Sequence, residues 1–152
     1  MRETGTLILG IGNPILSDDG VGIQIARKLQ EARPNIEIEE TNEAAIVLLD
    51  YLIGYEKLVI VDSIQTGQGQ PGELYKLKLE DLKSAADATS SHGIDIATAF
   101  SVGRSLGCEM PRTVNIYAVE VRDNETFSER CTAEVEKEIP SIVARIITEE
   151  ML

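Results

Sequence analysis

The chain has 152 residues, 43% of them hydrophobic and only 4% aromatic, with a formal net charge of −12. That is the length of one domain, with enough Val, Ile, Leu and Ala to bury a core without disulfides or structural metal. The excess of acids argues against an electrostatic nucleic-acid binder and against docking on an anionic membrane, and it favours a soluble protein with a preference for a basic partner.

The elements follow one another as strand and helix. Residues 7–10 open a short, wholly apolar strand, the pattern of a strand buried on both faces. A helix is predicted over residues 19–33, with Val21, Ile25 and Leu29 on one stripe, Ser17 or Asp18 as N-cap, and Pro34 as the stop. Residues 36–40 alternate apolar and acidic, which predicts a strand near a sheet edge. A second helix is predicted over residues 44–53, closed by Gly54. Residues 58–61 form a second buried strand that ends on Asp62. The Gly-rich loop QTGQGQPGE leads into ELYKLKL, where Tyr75, Leu77 and Leu79 share one face and Lys76 and Lys78 the other, as suits an edge strand. After the polar loop ATSSHG, a helix carries Ile96, Ala99, Phe100, Gly103 and Leu106 and ends at Gly107. Residues 113–121 are the last strand. A C-terminal helix starts near Thr132 with Val135, Ile139, Ile142 and Ile146 on one side, and Pro140 either kinks it or starts a second helix. This alternation predicts a single three-layer α/β domain: a twisted, mostly parallel sheet of about five strands flanked by helices.

No apolar run reaches the ~20 residues that span a bilayer. The N-terminal stretch MRETGTLILGIGNPIL has one Arg and no small-residue cleavage site, so no signal peptide is expected. Cys108 and Cys131 belong to no C-x-x-C pattern, which favours two idle thiols in a reducing cytoplasm over a disulfide or a thiolate metal site.

Doubly wound sheets bind ligands beyond the carboxyl ends of their strands, where strand order reverses. Asp18 and Asp19 follow the first strand, Asp62 ends the LVIVD strand, and His92, the only histidine, precedes the helix at Ile96. A dinucleotide loop is disfavoured: Gly10 and Gly12 fit G-x-G-x-x-G, but Ile15 stands at the third position and two acids face the helix N-terminus. Each polar residue also has an ordinary structural reading. The acids complement a helix dipole, a strand-end Asp caps a turn, and a loop histidine is solvated. Together they instead form a set of oxygen and nitrogen donors that suits Zn, Ni, Mn or Fe. Neither cysteine has the surroundings of a nucleophile, and no G-x-S-x-G or H-E-x-x-H is present.

LGIGNPILSDDGVG, VIVDSIQTG, SSHGIDIATAFSVGRSLG and VNIYAVEV, in that order, resemble the signature segments of the hydrogenase maturation proteases. These endopeptidases trim the C-terminus of the nickel-iron hydrogenase large subunit. The resemblance implies a divalent-metal site at Asp19, Asp62 and His92, which are both the catalytic and the metal-binding expectation. Asp19 stands where many members have Glu, so Asp18 is a candidate helper. The implied partner is a nickel-iron hydrogenase large-subunit precursor, the metal is nickel supplied by that precursor, and a cytoplasmic monomer is expected. ETNEAAIVLL, residues 40–49, replaces a Gly-rich segment of many relatives and is expected to help choose the precursor. Two other classes compete: a non-enzymatic nickel-binding or metal-sensing maturation factor, and a small-molecule hydrolase or nucleotide binder on a flavodoxin-like sheet.

Overall fold

The computed structural model describes residues 5–42, 45–84 and 93–152. Its elements in chain order are β1 (Thr6–Ile11), α1 (Val21–Ala32), β2 (Glu37–Thr41), α2 (Leu49–Leu52), β3 (Lys57–Ile64), β4 (Leu74–Leu77), α3 (Leu79–Ser84), α4 (Gly93–Ser105), β5 (Thr113–Glu120), α5 (Ala133–Glu136) and α6 (Ile139–Glu150), with 3-10 turns at Ser17–Gly20 and Ala45–Leu48. The strands form one sheet in the order β2-β1-β3-β5-β4. All neighbours run parallel except β4, which is antiparallel to β5. Among the described residues, no helix is long and apolar enough to cross a membrane.

The two-residue period of the strands sorts their side chains into two cores. Ile8, Val59, Val61 and Tyr117 face Val21, Ile25, Ile142 and Ile146 of α1 and α6. Leu7, Leu9, Leu58 and Ile60 face Leu52, Ile96 and Phe100 of α2 and α4. The helices thus cover both faces of the sheet, and this is the expected three-layer α/β domain. The β2 edge carries the exposed Glu37, Glu39 and Glu40, charges that blunt an open edge.

Three elements differ from the sequence expectation. The helix over residues 19–33 starts with a 3-10 turn, and no side chain caps it or α1. The helix over residues 44–53 is only a 3-10 turn and one α-turn, because Ile53 is already extended and Gly54 takes φ +91. Leu79 leaves the β4 strand to open α3. The Lys78 N–H donates to Asp81 Oδ2 at 2.8 Å, and this side-chain turn starts a helix that hydrophobic alternation alone did not reveal. Of the two alternatives at the C-terminus, the second holds: there are two helices, with Pro140 in the first turn of α6, where a missing N–H costs nothing.

Two buried carboxylates brace the ends of the sheet. Glu150, on α6, takes Lys57 Nζ at 2.6 Å, Tyr117 OH at 2.5 Å and Asn115 Nδ2 at 3.0 Å near the amino ends of β3 and β5. Burial opposes its ionisation, but these donors outweigh that and hold its pKa below the usual carboxylate range. Glu120, at the carboxyl end of β5, accepts the Thr66 N–H at 2.8 Å and the Tyr75 hydroxyl at 2.9 Å, and so fastens the Gly-rich loop. Tyr75 is pushed up to about 12, first by burial and then by the Glu120 carboxylate.

Candidate functional site

The chain leaves β1 toward β2 on one side, while β3 pairs on the other, in the register Gly10 opposite Val61. Strand order therefore reverses between β1 and β3. The start of α1 rests directly on that junction. A Cβ on Gly22 would lie 2.4 Å from the Val61 carbonyl oxygen and 2.6 Å from that of Ile11, so only glycine lets the helix approach both strand ends. Gly12, at φ +152, has the same function in the loop: its Cβ would meet the Asp19 carbonyl oxygen at 2.1 Å.

The loop then closes on itself. Asn13 Oδ1 accepts the Ile15 N–H at 3.1 Å, and the Asn13 N–H donates to Asp19 Oδ2 at 2.9 Å. This fixes the Asp19 carboxylate by one oxygen. The other, Oδ1, meets Ser63 Oγ at 3.5 Å, too long for a strong hydrogen bond.

The neighbouring acid behaves differently. Asp18 is 0% exposed. Its Oδ2 accepts the N–H groups of Arg122 and Asp123, each at 3.0 Å, and its Oδ1 accepts the Thr132 N–H at 2.7 Å and the Thr132 hydroxyl at 3.1 Å. Both oxygens are committed to the 122–132 loop. Asp18 is a buried tie between two loops, whereas Asp19 is only partly buried.

Asp62 is buried at 3% exposure, and its Oδ1 accepts the Ser63 N–H at 2.7 Å. It lines a small cavity with Leu77, Leu82, Ile96 and Ile116, on the α4 side of the sheet. Ile96 belongs to the first turn of α4, whose opening residue Gly93 follows His92 directly in sequence. His92 itself lies outside the described residues. Among the described residues, no three His, Cys, Asp or Glu side chains are grouped to hold a metal. Ser63 touches Asp19 with its hydroxyl, and its amide donates to the Asp62 that precedes it. Sequence reading missed Ser63. Its only signal was its place directly after Asp62, and β3 runs on through both residues to Ile64 rather than ending on Asp62.

The cysteines match the sequence reading: both are free thiols. Cys131 is buried, with Sγ 3.8 Å from the Ser17 carbonyl oxygen. Burial, reinforced by the Asp18 charge, pushes its thiol up to about 12, the opposite of an activated nucleophile.

This fold recurs in known proteins. A family model described as Hydrogenase maturation protease matches residues 22–149, starting just beyond Asp19. The Hydrogenase 2 maturation protease of Escherichia coli (strain K12) is 28% identical over 117 residues, covering 74% of this chain and 71% of that protein. The solved structure of the hydrogenase maturating endopeptidase HybD from E. coli matches with a TM-score of 0.81 at 25% identity, over 95% of this chain and 91% of that one. The fold also matches the NiFe hydrogenase maturation protease HybD from Thermococcus kodakarensis, with a TM-score of 0.76 at 22% identity, over 97% of this chain and 98% of that one. The chain belongs to the hydrogenase maturation protease family, and so to a family of peptidases.

Proposed function

We propose that this protein is the endopeptidase that removes the C-terminal extension of a nickel-iron hydrogenase large-subunit precursor once nickel has been inserted. Asp19, Asp62 and His92 are its working residues. Nickel is cargo of the precursor rather than a resident cofactor, and the three side chains supply the oxygen and nitrogen donors that suit it. The enzyme acts as a cytoplasmic monomer that meets its precursor transiently.

The observation that supports this reading most is the contact of Ser63 with both Asp19 and Asp62. Asp19 follows β1 and Asp62 lies on β3, the two strands between which strand order reverses, and open α/β sheets hold ligands at such a place. The donor chemistry fits a cation. Asp19 is held by one oxygen while the other has only a long contact, so that oxygen can take a metal or a proton from an attacking water. Asp18 cannot share this role, because amide and hydroxyl donors occupy both its oxygens. Peptide hydrolysis then needs water to add to the scissile carbonyl and its proton to pass to the leaving amine, and Asp19 is the carboxylate of the loop placed to carry that proton.

The test is incubation with nickel-loaded and nickel-free precursor, read by the mass of the large subunit. The wild-type protein is expected to shorten only the loaded form, and Asp19→Ala, Asp62→Ala and His92→Ala to leave it full length. Cleavage by all three variants at the wild-type rate would remove the site assignment. Nickel binding with no cleavage by the wild type would replace this reading with that of a non-enzymatic maturation factor.

A further inference from the structure

The loop that carries Asp19 and the loop after β5 together present an apolar surface that none of the described residues covers. Phe127 is 80% exposed and Ile15 is 48% exposed. They lie on two backbone segments that run side by side. The Ser128 N–H donates to the Ile15 carbonyl at 2.9 Å, the Ser17 N–H donates to the Ser128 carbonyl at 3.0 Å, and Ser17 Oγ donates to the Thr126 carbonyl at 2.8 Å. Leu16 and Ser128 form a parallel bridge. The Asp18 carboxylate, bonded to Arg122, Asp123 and Thr132, clamps the ribbon from beneath. An aromatic ring presented to water on a clamped support is preorganised for a partner, since little freedom is lost when it is buried.

The surroundings of the ring indicate what that partner offers. Glu125 and Glu129 flank Phe127 and are exposed. The nearby Arg122 and Arg130 are already paired with Glu134 and Glu136, so the acids dominate the rim, in keeping with a chain of net charge −12. The ribbon is continuous with the candidate site, because the Asp19 N–H donates to the Leu16 carbonyl at 3.0 Å.

We propose that Phe127 and Ile15 form the docking surface for the protein substrate, taking an apolar side chain of the precursor flanked by basic residues. The proposal rests on the reading of the protein as a precursor-processing peptidase, and it adds the surface by which the precursor is held beside Asp19.

The experiment measures precursor binding by calorimetry and cleavage by mass, for wild type, Phe127→Ala, Phe127→Glu and Glu125→Lys/Glu129→Lys. An exposed side chain is replaced in each case, and thermal melts confirm the fold. Phe127→Glu is expected to weaken binding and raise KM by about tenfold or more with kcat unchanged. The double lysine variant is expected to weaken binding as well, and added salt to weaken it in the wild type. Equal affinity and KM for wild type and Phe127→Glu overturn the docking surface while leaving the peptidase intact. Binding that depends on Phe127 without any cleavage leaves the surface and removes the peptidase. Absence of wild-type binding overturns the surface. So does a wild-type dimer in sedimentation that Phe127→Glu dissociates, which would assign the patch to a second copy of the chain.

Discussion

Asp18 grips Thr132 twice, taking its N–H at 2.7 Å and its hydroxyl at 3.0–3.1 Å, across 114 positions of sequence. With the amides of Arg122 and Asp123, this makes one buried carboxylate the fastening between the loop after β1 and the loop after β5. The two adjacent acids of SDDG therefore have different functions, and substitutions should separate them.

Asp18→Ala should unfold the loops and destabilise the protein by about 3 kcal/mol, because several backbone donors lose their acceptor together. Asp19→Ala strips one amide of its acceptor and should cost about 1 kcal/mol or less, while abolishing processing. Urea midpoints and precursor mass, measured on both variants, check the contrast. Equal stability losses would show that Asp18 is no more structural than its neighbour.

Gly22→Ala forces a methyl group against the Val61 and Ile11 carbonyl oxygens, at 2.4 and 2.6 Å. Backbone atoms cannot rotate aside as side chains do, so α1 must move off the ends of β1 and β3. A loss of about 1–3 kcal/mol is expected, together with slower processing, since Asp19 precedes that helix by one turn. A wild-type melting temperature for this variant would contradict the close approach.

The Glu150 cluster sets a pH dependence. Its folded pKa is lowered, so its stabilisation is fully present above the unfolded carboxylate value of about 4.3 and is lost as pH falls through the lower folded value. Lys57→Met removes the cation at 2.6 Å and leaves a buried carboxylate, which should cost about 3 kcal/mol at pH 7. That cost should shrink as pH falls, because a Glu150 left without the cation takes up a proton more readily than the paired one. Denaturation curves at pH 7 and pH 3.5 for wild type and variant give the comparison, and a cost that does not change with pH would count against the ion pair.

Cys131, buried with its thiol pushed up to about 12, should resist alkylation at pH 8, while the half-buried Cys108 accepts one label. Mass spectrometry of the native protein should show a single adduct, mapped to Cys108, and a second one only after unfolding. Rapid double labelling of the native state would show that the 122–132 loop opens far more often than the Asp18 bonds permit.

The sequence by itself determined the class of fold and the places of its strands. Hydrophobic runs such as LVIV, bounded by turn residues, favour strands buried on both faces, which put Asp62 near a carboxyl end, although β3 runs on to Ile64, and Asp19 in the loop after β1. The expectation that both serve one crevice follows from the general behaviour of doubly wound sheets, and the order of the motif segments pointed to the family. Helix limits were less legible where a turn residue intervened, as at Gly54, or where a side chain captured the backbone, as at Lys78 and Asp81. The His92 expectation falls outside the described residues and rests on its position directly before α4. Only the tertiary structure decided which acid of SDDG is fully buried and which stays partly open, since the two are chemically identical and adjacent. Their difference comes from contacts with Thr132, Asp123 and Ser63, between 44 and 114 positions away. Periodicity and local propensity reach a few residues along the chain, so a partnership closed by folding over that distance leaves no local mark in either acid.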